Sequence, residues 1–279
     1  RGQSLVHGMR RKLALLAAAA GGGGALPLSC AKQFHARLIV ASPCIPDDLR
    51  LRLLRSYAAH GEFASAHRLL DEAPRPASPL LYNAVIRAHS RRLDLPTALA
   101  LFASMRRSAT PPDAHTFACV LRACADCDRP GGAKTLHGIA STSGWSSHPI
   151  VGSALVSAYS KFLLVESARH VFDGLREPDL VLWNSMMSGY GYREMWLEGL
   201  QLFSAMRRAG EEPDGYSMVS LLSSFWDPEA LAFGQAVHGV CIKGGYDSGH
   251  HGNCRLASMM SHLICSEKCA TLAGGLTAS

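Results

Sequence analysis

Aspartate and glutamate are absent from the first 46 residues of this 279-residue chain, where Arg1, Arg10, Arg11, Lys12, Lys32 and Arg37 supply all the charge. An uninterrupted apolar run, Leu13 to Ala20, follows the basic stretch and leads into Gly21 to Gly24. That leader reads as an organelle transit peptide beginning at Met9; a secretory signal peptide shares its outline of charge followed by Leu and Ala. The run falls short of the roughly 20 apolar residues a membrane helix needs, so a transmembrane reading fails there. The chain also lacks a disulfide framework. Its nine cysteines are odd in number and irregular in spacing, which points to a reducing compartment.

Catalytic signatures are missing as well. There is no G-x-S-x-G elbow, no G-x-x-x-x-G-K-S/T loop and no H-E-x-x-H helix. The Gly21 to Gly24 run is a linker by composition, since no strand precedes it and no Lys-Ser/Thr pair follows. Cys119, Cys124 and Cys127 have no matching second pair, so buried free thiols are expected there rather than zinc. His250, His251, Cys254, His262, Cys265 and Cys269 carry enough ligand atoms for a metal, but their spacing matches no zinc module. His60-Gly61-Glu62 with Cys124-Ala125-Asp126-Cys127 imitates the H-x-E and P-C-x-x-C elements of a nucleobase deaminase, yet Ala123 stands where Pro belongs. Charge decides little: 28 Lys and Arg against 22 acidic residues leave +6, compatible with a phosphate backbone as partner.

What is present is repetition. Leu81-Tyr82-Asn83-Ala84-Val85-Ile86 returns as Leu182-Trp183-Asn184-Ser185-Met186-Met187, an offset of 101 residues. Leu101-Phe102-x-x-Met105-Arg106-Arg107 returns at the same offset as Leu202-Phe203-x-x-Met206-Arg207-Arg208, as do Pro112-Asp113 at Pro213-Asp214 and His137-Gly138 at His238-Gly239. The unit subdivides into segments of 35, 35 and 31 residues: 79–113, 114–148 and 149–179. Self-similarity at such a period marks an array of stacked units, which builds an extended binding surface.

Apolar spacing within each segment is helical. Trp183, Met186, Met187 and Tyr190 lie at i, i+3, i+4 and i+7, while Leu197, Leu200, Phe203 and Met206 advance in steps of three. Gly210-Glu211-Glu212-Pro213-Asp214 ends one helix and starts the next. Each segment therefore reads as two short antiparallel helices. Tyr82, Phe102, Trp183 and Phe203 are expected in the core, and His89, His137 and His238 at helix interfaces.

On these residues the chain resembles the plant pentatricopeptide repeat family, in the subclass that alternates standard, longer and shorter motifs. Trp183-Asn184-Ser185-Met186-Met187-Ser188-Gly189-Tyr190, Ala154-Leu155-Val156-x-x-Tyr159-Ser160-Lys161 and Ala168-Arg169-x-Val171-Phe172-Asp173 are similar to its helix signatures. The longer motif resembles Thr116-Phe117-x-x-Val120-Leu121-x-Ala123-Cys124 followed by Lys134-x-Leu136-His137-Gly138. Tyr57, Ala66, Asp71 and His35 match Tyr159, Ala168, Asp173 and His137 at an offset of 102. The resulting organisation is a leader at 1–29, a partial long repeat at 30–46, a short repeat at 47–78, repeats at 79–113, 114–148, 149–179, 180–214 and 215–249, and a tail at 250–279 without a repeat signature. No deaminase domain is recognisable in that tail, which reads as a truncated or frame-shifted end.

The resemblance implies an all-α, right-handed α-solenoid that binds single-stranded organelle RNA, without catalysis or cofactor. It also implies C-to-U editing with a deaminase supplied in trans, in the mitochondrion or alternatively the chloroplast, and no membrane partner. The family's reading positions, the fifth and last residues of a repeat, fall on Asn83 with Asp113, Ser153 with Asp179, and Asn184 with Asp214. By the family's pattern the Asn/Asp pairs prefer U and the Ser/Asp pair G. Ala118 with His148 has no clear preference, so the implied core is 5′-U-x-G-U-3′. Spacing alone leaves each Asn equally suited to capping its own helix. Leu51 and Ala77-Ser78 in repeat 47–78 suit packing, not reading. The rival is a tetratricopeptide-like protein scaffold or a non-functional fragment; tetratricopeptide repeats keep close to 34 residues.

Overall fold

The computed structural model describes residues 26–41, 45–74, 76–224 and 237. The leader before Leu26, His238, the histidine and cysteine group at 250–269 and the tail lie outside the described residues. Within them the secondary structure is helical throughout: α1 (Leu28–Ala41), α2 (Asp47–Ala59), α3 (Phe63–Asp71), α4 (Pro79–Arg91), α5 (Leu95–Arg107), α6 (Ala114–Asp126), α7 (Pro130–Thr142), α8 (Pro149–Lys161), α9 (Val165–Asp173), α10 (Leu180–Tyr192), α11 (Trp196–Arg208) and α12 (Gly215–Leu222). None is long and apolar enough to cross a membrane. Two helices fall in each of the segments 47–78, 79–113, 114–148, 149–179 and 180–214. The chain separates into two units at Cys127/Asp128, inside the segment 114–148.

In the first unit the leading helices of successive segments, α2, α4 and α6, pack side by side. The second helices lie against them: α3 touches α2 and α4, and α5 touches α4 and α6. The second unit repeats the plan, with α8, α10 and α12 as the packed row, α9 against α8 and α10, and α11 against α10 and α12. A leading helix with neighbours on several sides must be apolar over most of its circumference. Accordingly α4 buries Leu81, Tyr82, Val85 and Ile86, and α10 buries Leu182, Trp183, Met186, Met187 and Tyr190. A second helix needs one stripe only, as in α5 with Leu95, Ala98, Leu101, Phe102 and Met105. Edge-on aromatic pairs close two of these joints, Phe102 on Phe117 at 5.5 Å and Phe172 on Trp183 at 4.9 Å between ring centres.

The stripe read for α11 needs correction. Its buried residues are Gly199, Leu202 and Met206, whereas Leu197 is 53% exposed and Phe203 is half-buried. Steps of three drift around a helix of 3.6 residues per turn, so Leu197 and Met206 end on opposite sides. Gly189 serves close approach: a Cβ there would lie 2.5 Å from Ser160 Oγ on α8.

The turn inside each helix pair uses one geometry. Gly61, Leu93, Asp128, Leu163 and Glu194 all take the left-handed backbone that follows a helix end, with φ of 76°, 60°, 50°, 59° and 57°. Only the first is glycine. The others carry a steric cost of roughly 1–2 kcal/mol each, offset by packing of the two helices they join.

Candidate functional site

The last residue of a repeat starts the following helix. Asp113 is the N-cap of α6 and Asp214 that of α12. In each case the carboxylate accepts from the backbone amide at the third helical position while the hydroxyl of that residue accepts from the Asp amide. Asp179 caps α10 by accepting from the Leu182 amide at 2.8 Å, and the ring of His148 caps α8 by accepting from the Ile150 amide at 3.3 Å. Such caps satisfy amides that a helix start leaves unpaired. Capping therefore falls to the Asp residues, not to the Asn residues, which are the fifth residues of α4 and α10.

Two of the expected pairs are in contact. Asn83 Nδ2 donates to Asp113 Oδ1 at 3.1 Å, and Asn184 Nδ2 donates to Asp214 Oδ1, also at 3.1 Å. The bond joins residues thirty positions apart and ties the fifth residue of one leading helix to the N-cap of the next. Ser153 is half-buried in α8 and Asp179 exposed, and these two make no hydrogen bond to each other. Ala118 and His148 belong to different units.

Asp113 is held below the ordinary aspartate range despite its surroundings. Burial raises its pKa, but hydrogen bonds from the Thr116 hydroxyl and amide and from Asn83, together with nearby His115, outweigh that cost. It remains a carboxylate near neutral pH. Its Oδ1 takes all the described bonds, which leaves Oδ2 as a further acceptor.

A further recurring feature was not drawn from the sequence. In α4, α8, α10 and α12 the second residue is a large exposed apolar side chain, Leu80 at 55% exposure, Ile150 at 37%, Val181 at 63% and Tyr216 at 61%, whereas in α2 and α6 it is Asp48 and His115. The detectable signal was an apolar residue recurring off the buried stripe. Positions i and i+3 share a helix face, so Leu80, Ile150 and Val181 each pair an apolar surface with the polar Asn83, Ser153 or Asn184, while Tyr216 is followed by Val219. Two of the second helices end in exposed arginines, Arg106 and Arg107 on α5 and Arg207 and Arg208 on α11.

Other candidates take structural places. His89 is buried, with Nδ1 2.9 Å from Asp94 Oδ2, and His137 Nδ1 lies 2.9 Å from the Tyr159 hydroxyl. Cys124 is buried, and burial together with Cys127 pushes its thiol up to about 11, while Cys119 and Cys127 are only half-buried. His60, Gly61 and Glu62 lie in the α2–α3 turn, while Cys124 and Cys127 lie at the end of α6. Among the described residues no three His, Cys, Asp or Glu side chains gather as a metal site.

The model of the PPR repeat family matches residues 78–126 and 178–227, one stretch in each unit, and both stretches contain an Asn–Asp link. The chain carries pentatricopeptide repeats. A pentatricopeptide repeat-containing protein of Arabidopsis thaliana is 39% identical over 214 residues, 77% of this chain and 39% of the relative. A second from the same plant is 30% identical over 218 residues, 77% of this chain and 31% of the relative. Its chloroplastic pentatricopeptide repeat-containing protein DOT4 is 31% identical over 199 residues, 71% of this chain and 23% of the relative. The chain thus spans well under half the length of each. The crystal structure of the pentatricopeptide repeat protein PPR10 in complex with an 18-nt psaJ RNA element superposes with a TM-score of 0.60 at 17% identity, covering all of this chain and 43% of PPR10. That likeness shows the fold class of these pentatricopeptide repeats, an α-solenoid.

Proposed function

We propose that the repeats bind single-stranded organelle RNA, one unstacked base per reading repeat, and act without catalysis. The observation that carries this reading is the Asn–Asp pair, found with the same 3.1 Å bond in repeats 79–113 and 180–214 and set beside the exposed apolar residues Leu80 and Val181. A base laid on such an apolar side chain turns its edge towards the pair. The donor and acceptor of the pair complement the O4 and N3–H edge of uracil. Ser153 with Asp179 is assigned to guanine, giving 5′-U-x-G-U-3′. The arginines ending α5 and α11 suit phosphate oxygens. PPR10, a relative in fold, was crystallised with RNA.

The alternation of repeat lengths supports a place in C-to-U editing, the chain marking the site and a second protein supplying the deaminase. The acid-free leader supports organelle import, with the mitochondrion as the proposed destination and the chloroplast as the alternative, since DOT4 and another relative are named chloroplastic. The test is fluorescence anisotropy of the full chain with U-x-G-U RNA, a scrambled RNA and a matched acidic polymer. Preference for U-x-G-U is expected, shifting to G at the last position in Asn184→Thr. Binding no stronger than to the acidic polymer would overturn the reading in favour of a protein scaffold or an inactive fragment.

A further inference from the structure

The two Asn–Asp pairs look equivalent until their carbonyls are compared. In the second unit the Ser217 hydroxyl lies 2.7 Å from Asn184 Oδ1 and 2.9 Å from Asp214 Oδ1, while the Asp214 amide donates back to it at 3.1 Å. Both ends of the Asn184 amide are therefore held, Nδ2 by Asp214 and Oδ1 by Ser217. The reverse amide orientation would set a carbonyl oxygen against the Asp214 carboxylate, so the pair of contacts defines one pose.

Thr116 occupies the corresponding place in the first unit. It completes the same capping box, with its hydroxyl 2.8 Å from Asp113 Oδ1 and its amide donating to that oxygen at 2.7 Å. Its hydroxyl also faces Met105 Sδ at 4.0 Å. The extra methyl group of threonine stiffens its χ1, and no bond to the Asn83 carbonyl forms. Asn83 Oδ1 is buried without a hydrogen-bond partner, in a residue only 5% exposed.

We propose that Ser217 is a positioning residue for base recognition, holding the Asn184 amide in the pose that presents N–H to a base, and that Thr116 leaves Asn83 without this hold. The inference rests on the reading that Asn83 and Asn184 meet bases. A side chain ordered before binding gives up less entropy on binding and tolerates fewer alternative partners. The repeat at 180–214 is thus the stricter reader of the two, although its fifth and last residues are the same as those at 79–113. Specificity at a repeat is then set partly by the third residue of the next one.

The reciprocal exchange Ser217→Thr and Thr116→Ser tests this while keeping both capping boxes. Full-length protein is titrated with U-x-G-U RNA and with RNAs carrying C at the first or last U. Wild type is expected to prefer U over C more strongly at the last position. Ser217→Thr should lower that preference by roughly three- to tenfold, the worth of one neutral hydrogen bond, and leave the first position unchanged. Thr116→Ser should raise the preference at the first position by a similar factor. Unchanged U-over-C ratios in both variants, or equal weakening towards every RNA, would overturn the role of Ser217 and leave the RNA reading standing. A wild-type protein indifferent to U-x-G-U would overturn both together.

Discussion

Asp113→Ala removes a group that serves two helices at once. Its Oδ1 accepts from the Thr116 amide at 2.7 Å, the Thr116 hydroxyl at 2.8 Å and Asn83 Nδ2 at 3.1 Å. Loss of an N-cap costs about 1 kcal/mol. Asn83 is 5% exposed and its carbonyl already lacks a partner, so the substitution also strands the amide nitrogen. A buried polar group left unpaired costs about 1–3 kcal/mol, which brings the expected loss to about 2–4 kcal/mol. Asn83→Ala removes the orphaned carbonyl together with the bond and should cost about 1 kcal/mol. In the double variant the stranded amide is gone, so the two losses should fall short of additive by about 1–2 kcal/mol. Urea unfolding followed by far-UV circular dichroism gives the cycle, and hydrogen exchange at the Thr116 amide localises the damage to the start of α6. An additive cycle would refute the claim that Asn83 depends on Asp113.

Two further outcomes follow from the structure. Burial lowers the pKa of His35, His67 and His137 below the ordinary 6.5, so the folded chain holds them neutral while the unfolded chain takes up protons first as pH falls. Their contribution to stability is complete above about pH 6.5 and is lost on acidification below it, so the thermal midpoint should drop between about pH 7.5 and about pH 5.5. His137→Gln should narrow that drop, and an unchanged midpoint across the range would argue against half-buried histidines held neutral. Leu93→Gly and Leu163→Gly replace exposed residues at φ of 60° and 59° and should each stabilise. The gain is about 0.5–1 kcal/mol, the relief of left-handed strain less the added chain entropy of glycine; a lower melting temperature would show that the strain is absent.

Much of the fold was legible because the repeat copies its landmarks at a fixed offset and four of its helix starts carry Asp, at 94, 113, 179 and 214. Asp113 and Asp214 could be recognised as helix starts from Pro-Asp alone. The stripe of α11 could not, because Leu and Phe spaced by threes suggest a face that 3.6 residues per turn does not keep; Phe203 is half-buried where Phe102 is 3% exposed. The left-handed turns at Leu93, Asp128, Leu163 and Glu194 were hidden because the residue that usually marks them, glycine, appears only at Gly61. At the candidate site the identities of Asn83, Asp113, Asn184 and Asp214 were readable. Their mutual bonds and the part played by Ser217 were not, since a third residue on the next helix enters the contact only when the helices pack.

Starting a helix and facing a ligand are different demands, and under the proposed function residues 113, 179 and 214 would have to meet both. Helix starts accept a short alphabet, chiefly Asn, Asp, Ser, Thr and Gly. His148 shows one extension of it, a ring nitrogen in place of an oxygen. Substitution at these positions can therefore wander among short acceptors at little cost, whereas an apolar residue, as at Leu164 and Met195 in front of α9 and α11, forgoes a cap worth about 1 kcal/mol. Selection for a new target sequence would then proceed in small polar exchanges along the chain, each neutral to architecture, and the diversity of such readers would be bounded by the chemistry of helix initiation.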